Sequence, residues 1–583
     1  MARREFPTWL VYAVRAAWAI ARLLPDAIVR ALGRLLFSKS QTRFEWALSD
    51  PRAFQRDRLL EIVRRNQATA FGREHGFEQV TDIDSFRARV PIRGYDQFEP
   101  YIARMVAGER SVLVADDVTF FARSSGTTGA PKYIPVTESY LEEMRACRRI
   151  WSRAVSQQMP GLIRGHFLTV HSPNIEGHTP GGVPYGSITV AMAGGRDDDF
   201  TSPLEGVPRS VYRLADFELK YYLILRSALD LRISLLGALN PSTLYLLCQK
   251  LTGWADRLAN DVEQGRIDAP AEVPVDIRRR LELRMRPRPA VATRIRQSLA
   301  RHGLVRPVDV WPGLCGVLCW KGGSAPFYLG QLRPYLGELP IMDYGYAASE
   351  GAFSITLDAG DGRGVVGVVG HVLEFVAEAE HGSPSARPLC ADQLEVGQRY
   401  AVIVTGSHGL YRYDINDIVE VVGMRHGLPE IRFVHKGGNM ISITGEKIGE
   451  AHAVEAVDAA LRRCQIDAAG FVLTARLADP PYYCIAIEPV AAQADTRWRT
   501  LLAACDEELR RVNIEYAAKR DSQRLGAPRL LLAPAGAFER LRAQRVAAGA
   551  PDAHVKIPHL ARDPTVLDQI GVAREIEIAG VVG

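Results

Sequence analysis

Arg123-Ser124-Ser125-Gly126-Thr127-Thr128-Gly129-Ala130-Pro131-Lys132 is the stretch on which the reading of the fold turns. Two glycines let the backbone approach an anion, and consecutive N–H groups can form a nest around it. The hydroxyls of Ser124, Ser125, Thr127 and Thr128 add donors, and Lys132 adds a charge. A hairpin turn needs one or two such residues, so this density points to phosphate binding. The spacing is not that of a Walker A loop, and Tyr133 follows the lysine. The apolar runs VLVADDVTFFAR (112–123) and YIPV (133–136) predict a strand on each side of the loop, and residues 138–159 predict a helix.

The chain is long enough, at 583 residues, for several packing units. Hydrophobic residues make up 47% and charged residues 24%, which excludes disordered, collagenous and disulfide-scaffold classes. A net charge of +5 on this length gives no electrostatic footprint for nucleic acid. The eight cysteines are scattered, with only Cys315 and Cys319 close together, so no zinc site or disulfide framework is expected and reduced cytoplasmic thiols are. Only nine basic residues are lysine, against 63 arginines, so a lysine inside a suspected site carries some information. Residues 1–40 read as an amphipathic helical lead-in. Arg15, Arg22, Arg30 and Arg34 keep every uncharged run below the ~18 residues of a membrane span. Helices packed on the domain are preferred there to a helix on an anionic membrane surface, and peripheral contact stays open.

Further along, residues 41–110 and 211–303 read as mainly helical, and residues 304–420 alternate short apolar runs with Gly-rich turns. GLYRYDINDIVEVVG (409–423) predicts strand–turn–strand, with Asn416 and Asp417 at the bend. The Gly-interrupted segment 435–447 sets the expected boundary between a large domain, 1–435, and a small one, 436–583. The latter alternates helix and strand, as in an α+β domain with helices on one face of a sheet.

Three more segments could carry chemistry. Asp343 to Gly351 (DYGYAASEG) follows an apolar run ending in Ile341-Met342, as a strand end in an α/β sheet would. Its aromatic rings could stack on a base and Glu350 could hold Mg²⁺, although a Tyr and a Glu near glycines are common by chance. Asp417 could accept two hydrogen bonds from a ribose diol; on its own an Asx turn explains it better. Lys436, Lys447 and Lys556 join Lys132 to place four of the nine lysines in these segments.

The order of these motifs resembles the adenylate-forming superfamily. The wording is similar to the auxin-responsive-promoter family of acyl acid–amido synthetases, which has plant and bacterial members. NQATAFGREHGF, VPIRGYDQFEPYI, SSGTTGAPKYIPVT, TPGGVPYGS, YGYAASEG, GLYRYDINDIVEV, ITGEKIGE and the late GAF…VKIPHL carry the resemblance over nearly the whole chain. The resemblance is to a bacterial-type member, and it departs at Lys556-Ile557-Pro558-His559, where plant members tend to read Lys-Thr-Pro-Arg. It departs also at Asp414-Ile415-Asn416-Asp417, where many relatives read Arg-x-Gly-Asp.

The resemblance implies an α/β fold: a large N-terminal adenylate-forming domain with β-sheets and flanking helices, and a small α+β C-terminal domain. It implies a monomeric ligase that uses ATP and Mg²⁺. A carboxylic acid would become an acyl-adenylate with release of pyrophosphate, and the acyl group would pass to an amine or amino acid with release of AMP. Transfer to coenzyme A or a carrier-protein thiol is the alternative. By the same resemblance Ser124, Ser125, Gly126, Thr127, Thr128 and Lys132 hold the phosphates, and Tyr346 and Ser349 lie in the segment touching adenine. Glu350 supports Mg²⁺, Asp417 holds the ribose, Lys436 sits at the interdomain hinge, and Lys556 supplies charge during adenylation. Thr179 and Tyr185, in TPGGVPYGS, are candidates for the acyl pocket.

Overall fold

A computed structural model of the chain describes residues 24–25, 28, 31, 35, 37–124, 132–170, 175–192, 204–322, 325–437, 440–538, 540–541 and 559–577. Most of the lead-in 1–40 and four of the predicted site residues, Ser125 to Thr128, lie outside the described residues, as does Lys556. The chain divides into two compact units, one built from residues up to 124 and from 133 to 435, the other containing 436–583. No helix among the described residues is long and apolar enough to cross a membrane.

The larger unit holds three principal sheets. One has the order β2-β1-β5-β4, from β1 (Phe120–Ser124), β2 (Lys132–Val136), β4 (Ile175–His178) and β5 (Pro184–Gly186). The second is wholly parallel, β3-β6-β7-β8, from β3 (His166–Val170), β6 (Ile233–Ala238), β7 (Gly316–Leu318) and β8 (Ile341–Met342). The third has the order β11-β12-β16-β15-β14-β13: β11 (Ser354–Ile355), β12 (Gly364–Val366), β13 (Val372–Ala377), β14 (Arg399–Thr405), β15 (Tyr413–Arg425) and β16 (Leu428–Lys436).

The predicted helix over 138–159 forms as α1 (Glu138–Gln158). Thr137 starts it by accepting from the Tyr140 N–H (3.1 Å), and its hydroxyl donates to the Ser407 carbonyl (3.1 Å). Tyr140, Leu141, Met144, Cys147, Ile150 and Ala154 recur at three- and four-residue spacing, and that face is buried. Each large side chain so buried contributes about 1.5–3 kcal/mol.

Three expectations are corrected. Within the predicted strand 112–123 only Phe120–Ser124 pairs as a strand. Ahead of it, the carbonyls of Ser111 and Val112 accept from the N–H groups of Ala70 and Phe71, and the Tyr411 hydroxyl donates to the Leu113 carbonyl. That apolar run is held by a helix start and a phenol instead of a ladder. Inside the stretch read as mainly helical, ISLLGA forms the fully buried β6. A parallel strand covered on both faces shows no alternation for the sequence to reveal. GLYRYDINDIVEVVG is not strand–turn–strand: Tyr413–Arg425 is one strand with an interruption. Its ladder runs Val404↔Tyr413 and Ile403↔Asp414, then resumes at Ala401↔Ile418, so Ile415, Asn416 and Asp417 bulge from it.

In the second unit β17 (Ala468–Arg476), β18 (Tyr482–Pro489), β19 (Arg529–Leu532) and β20 (Arg574–Ile576) form a sheet in that order. The helices α2 (Glu450–Cys464) and α3 (Asp495–Val512) share its core through Ala456, Val457, Leu501 and Leu509. Buried Glu446 accepts from the backbone of Ile443 (2.8 Å) and Thr444 (2.9 Å) and from the Tyr483 hydroxyl (2.7 Å), which fixes the chain entering α2. The Arg562 guanidinium donates to the carbonyls of Lys436 (2.7 Å) and Met440 (3.0 Å).

Candidate active site

β8 ends at Met342, and the chain turns at once. The Asp343 carboxylate accepts from the N–H groups of Gly345 (2.7 Å) and Lys321 (2.6 Å). Burial pushes its carboxyl up to about 6, against the pull of those donors. Gly345 has φ +83°, and a Cβ there would lie 2.5 Å from the Ser354 carbonyl, so only glycine makes this turn. The turn delivers Tyr346, whose N–H donates to Ser354 Oγ (2.9 Å).

The Tyr346 ring is buried against Phe353 and Phe433, with centroid separations of 4.8 and 5.4 Å. Its hydroxyl donates to Asp417 Oδ2 over 2.6 Å. Two segments read separately in the sequence are therefore joined side chain to side chain. Burial, reinforced by the Asp417 charge, raises the phenol well above its ordinary range, so it remains a donor. The bulge in β15 aims Asp417. Asn416 takes φ +59°, and Asp414 makes the Asx turn by accepting from the Asn416 N–H (2.7 Å). The second oxygen of Asp414 bonds His381 Nε2 (2.7 Å), and that hydrogen bond raises the imidazole pKa.

Beyond Tyr346 comes a small hairpin of β9 (Ala347–Ala348) and β10 (Gly351–Ala352), with Ser349 and Glu350 as its turn. Both turn carbonyls are held. The Tyr140 hydroxyl donates to the Ser349 carbonyl (2.6 Å), and His408 Nε2 donates to the Glu350 carbonyl (2.9 Å). The Leu410 N–H donates to His408 Nδ1 (3.0 Å), which assigns the proton to Nε2. Burial, with the His371 charge adding to it, lowers the His408 pKa to about 4, so the ring is neutral.

Behind this turn Glu143 accepts from His371 Nδ1 (2.8 Å), the Ser407 hydroxyl (2.5 Å), the Ser407 N–H (3.1 Å) and Arg58. Burial would raise the Glu143 carboxyl, but the hydrogen bond and charge of His371, with Arg58, hold it at about 2. Charged groups thus stabilise the wall behind the Ser349–Glu350 turn.

The Glu350 carboxylate has no such partners. The residue is 7% exposed, yet among the described residues its side chain makes no hydrogen bond or ion pair. Buried Tyr413 lies within electrostatic reach of Glu350, Tyr95, Asp417 and Asp414 together, so two acidic motifs converge on one region. Oxygen donors with an unmatched negative charge suit a hard divalent cation such as Mg²⁺. The Tyr95 phenol also lies in reach of Glu350. It accepts from the Tyr133 N–H (2.8 Å) and donates to the Tyr133 carbonyl (3.3 Å), and burial raises it to about 12.

The other candidates fall as follows. Ser124 ends β1 and half-buried Lys132 begins β2, on the two sides of the predicted phosphate loop. Tyr185 lies across from Phe121 of β1, with its ring 5.4 Å from Tyr133 and under the Arg123 guanidinium at 5.7 Å. Gly177 leaves room for it: a Cβ there would meet the Tyr185 hydroxyl at 2.6 Å. Thr179 uses its hydroxyl to accept from the Val183 N–H (3.1 Å), closing its own turn. Lys436 ends β16. Tyr95, Tyr140, Glu143, His371 and His408 were not singled out from the sequence. The available signal was His408 itself, a titratable residue in the short Thr-Gly-Ser-His segment between the apolar run 401–404 and GLYRYD.

Comparison with known proteins gives the family. The chain matches the GH3 family N-terminal domain over residues 40–341, more than half its length. It matches the GH3 family central domain over 365–436 and the GH3 family C-terminal domain over 451–565. A similar curated protein is the probable indole-3-acetic acid-amido synthetase GH3.12 of Oryza sativa subsp. japonica, 27% identical over 90% of this chain and 94% of that protein. Another is the jasmonoyl-L-amino acid synthetase JAR4 of Nicotiana attenuata, 24% identical over 88% of this chain and 92% of that protein. Among solved structures, the AtGH3.15 acyl acid amido synthetase in complex with 2,4-DB superposes with a TM-score of 0.62 at 20% identity, covering 92% of this chain and 97% of that one. That likeness establishes the shared mixed α/β fold. With all three domains matched in order, the chain belongs to the GH3 family.

Proposed function

We propose that this chain is an ATP-dependent acyl acid–amido synthetase. It activates a carboxylic acid as an acyl-adenylate, releases pyrophosphate, and transfers the acyl group to an amine or amino acid with release of AMP. A carboxylate does not acylate amines at neutral pH because oxide is a very poor leaving group, whereas AMP is a good one. The observation that carries the reading is the Glu350 carboxylate, unpartnered among the described residues, beside the Tyr346–Asp417 pair, where the chain leaves the parallel sheet, in a member of this family. Open α/β sheets bind ligands at that end of their strands.

In this reading Asp417, positioned by the Tyr346 hydroxyl, receives the ribose hydroxyls. The Tyr346 bond keeps the carboxylate aimed. Glu350 is the magnesium ligand; the ion, when bound, supplies positive charge to the phosphate oxygens. Tyr140 and His408 fix the Glu350 backbone through the two turn carbonyls. Ser124 to Thr128 and Lys132 receive the phosphates through N–H, hydroxyl and ammonium donors, and Lys556 adds charge as negative charge spreads over the phosphoryl oxygens. Thr179 and Tyr185 remain the acyl-pocket candidates.

The test is pyrophosphate release across a carboxylic acid panel with ATP and Mg²⁺. Product mass is then read with either amino acids or coenzyme A as acceptor. Acid-dependent pyrophosphate with an amide product is expected. A thioester product would move the chain to the thiol-acylating alternative, and absence of pyrophosphate with every acid would remove the adenylation reading.

A further inference from the structure

At the other end of the parallel sheet from Tyr346, where β6 and β7 begin, the larger unit carries a half-open pocket of about 170 Å³. Its inner wall is apolar: Leu231, Ile233, Val310 and Trp311. The Trp311 N–H is used inside the protein, donating to the Ala228 carbonyl (3.1 Å), so the indole offers the cavity carbon surface.

Three arginines also line it. Arg232 immediately precedes β6, and Arg288 immediately precedes the helix Pro289–His302, on which Arg294 stands. The charge balance favours an anion. The neighbouring carboxylate, Asp230, is engaged by buried Arg226 (2.7 Å) and lies 3.5 Å from Arg288 Nε. Arg294 Nε donates to the Val310 carbonyl (3.1 Å), while the Arg232 side chain has no hydrogen bond or ion pair among the described residues. No acidic residue stands in the first turn of the helix Pro289–His302, so the positive end of its dipole is left uncompensated.

We propose that this cavity binds a small organic monoanion: one aromatic ring or a branched carbon chain bearing a carboxylate or sulfonate. A cavity of about 150 Å³ holds a benzene ring, which sets the size. A neutral hydrocarbon would make no use of the arginines at the rim, and inorganic phosphate would leave the apolar wall unfilled. The site shares no residue with the adenylation site and does not depend on the function proposed above.

Calorimetric titration of the full chain with benzenesulfonate, which carries no carboxyl group to activate, tests the site. The wild type should bind it, and neutral benzenesulfonamide should bind about tenfold more weakly or worse. The double variant Arg232→Gln/Arg294→Gln, and separately Val291→Trp, which fills the space without altering charge, should each weaken sulfonate binding about tenfold or more while pyrophosphate release is unchanged. Undiminished binding by both variants, or no binding by the wild type, overturns the proposal. So does parallel loss of binding and pyrophosphate release in both variants, because it would place the anion in the active site. Absence of pyrophosphate release from the wild type, with variant-sensitive binding retained, would count against the adenylation reading alone.

Discussion

Tyr346 donates its hydroxyl to Asp417 Oδ2 across 2.6 Å, although 71 positions separate the two residues in the chain. The bond joins the turn after the parallel sheet to the bulge of an antiparallel strand. Tyr346→Phe removes the donor and keeps the ring packing. A hydrogen bond to an ionised group contributes about 1.5–3 kcal/mol, so thermal or urea unfolding should show a loss of that order. The KM for ATP should also rise. A variant with wild-type stability and an unchanged KM would mean that the bond does not form in solution.

Glu350→Gln separates a ligand from a structural carboxylate. The wild-type side chain is buried without a partner among the described residues, so neutralising it should leave the melting temperature unchanged or raise it. Activity should move the other way: pyrophosphate release should fall about 100-fold, as for other charge-stabilising groups, with a higher Mg²⁺ concentration needed for half-maximal rate. Destabilisation with an unaltered Mg²⁺ titration would contradict the assignment.

Tyr140→Phe frees the Ser349 carbonyl while keeping the buried ring. The expected cost is about 1 kcal/mol in stability. Because the bond holds the turn that carries Glu350, the Mg²⁺ titration should shift in the same sense as for Glu350→Gln, but less. A stability loss without that shift would limit Tyr140 to a packing role.

His408 predicts an acid-sensitive stability. Its folded pKa, about 4, lies below the ordinary 6.5, so between these values the unfolded chain binds a proton that the folded chain does not. The contribution is therefore complete above pH 6.5 and is lost as pH falls towards 4, by about 3 kcal/mol over the full window. His408→Gln keeps an N–H donor for the Glu350 carbonyl and removes the titration. Urea midpoints compared at pH 7.5 and 4.5 should fall less in this variant than in the wild type, and parallel falls would exclude His408 as the source.

Lys556→Ala should lower pyrophosphate release by about 100-fold or more if its charge serves adenylation. Unchanged release would remove Lys556 from the chemistry.

Sequence patterning carried some parts of this fold well and others poorly. The helix over 138–158 was legible because its buried face repeats every three or four residues. β6 was not, because a strand covered on both faces shows only an apolar run, which a buried helix shows as well. Tyr346, Glu350 and Asp417 could each be singled out, but not their meeting, which depends on the Gly345 turn and the β15 bulge. The Glu143, His371 and His408 cluster left still less trace. A buried charge is identified by its partners, and those of Glu143 include residues more than 200 positions away.

The bulge at Ile415–Asp417 also bears on how such an enzyme can diversify. The pairs Ile403↔Asp414 and Ala401↔Ile418 clamp the strand on both sides of it. Adding or deleting a residue between those clamps would swing a carboxylate to a new bearing and leave the flanking ladder stitched. With Asp417 in its proposed ribose role, sugar preference would have an inexpensive route to drift through segment length, with no rebuilding of the surrounding core.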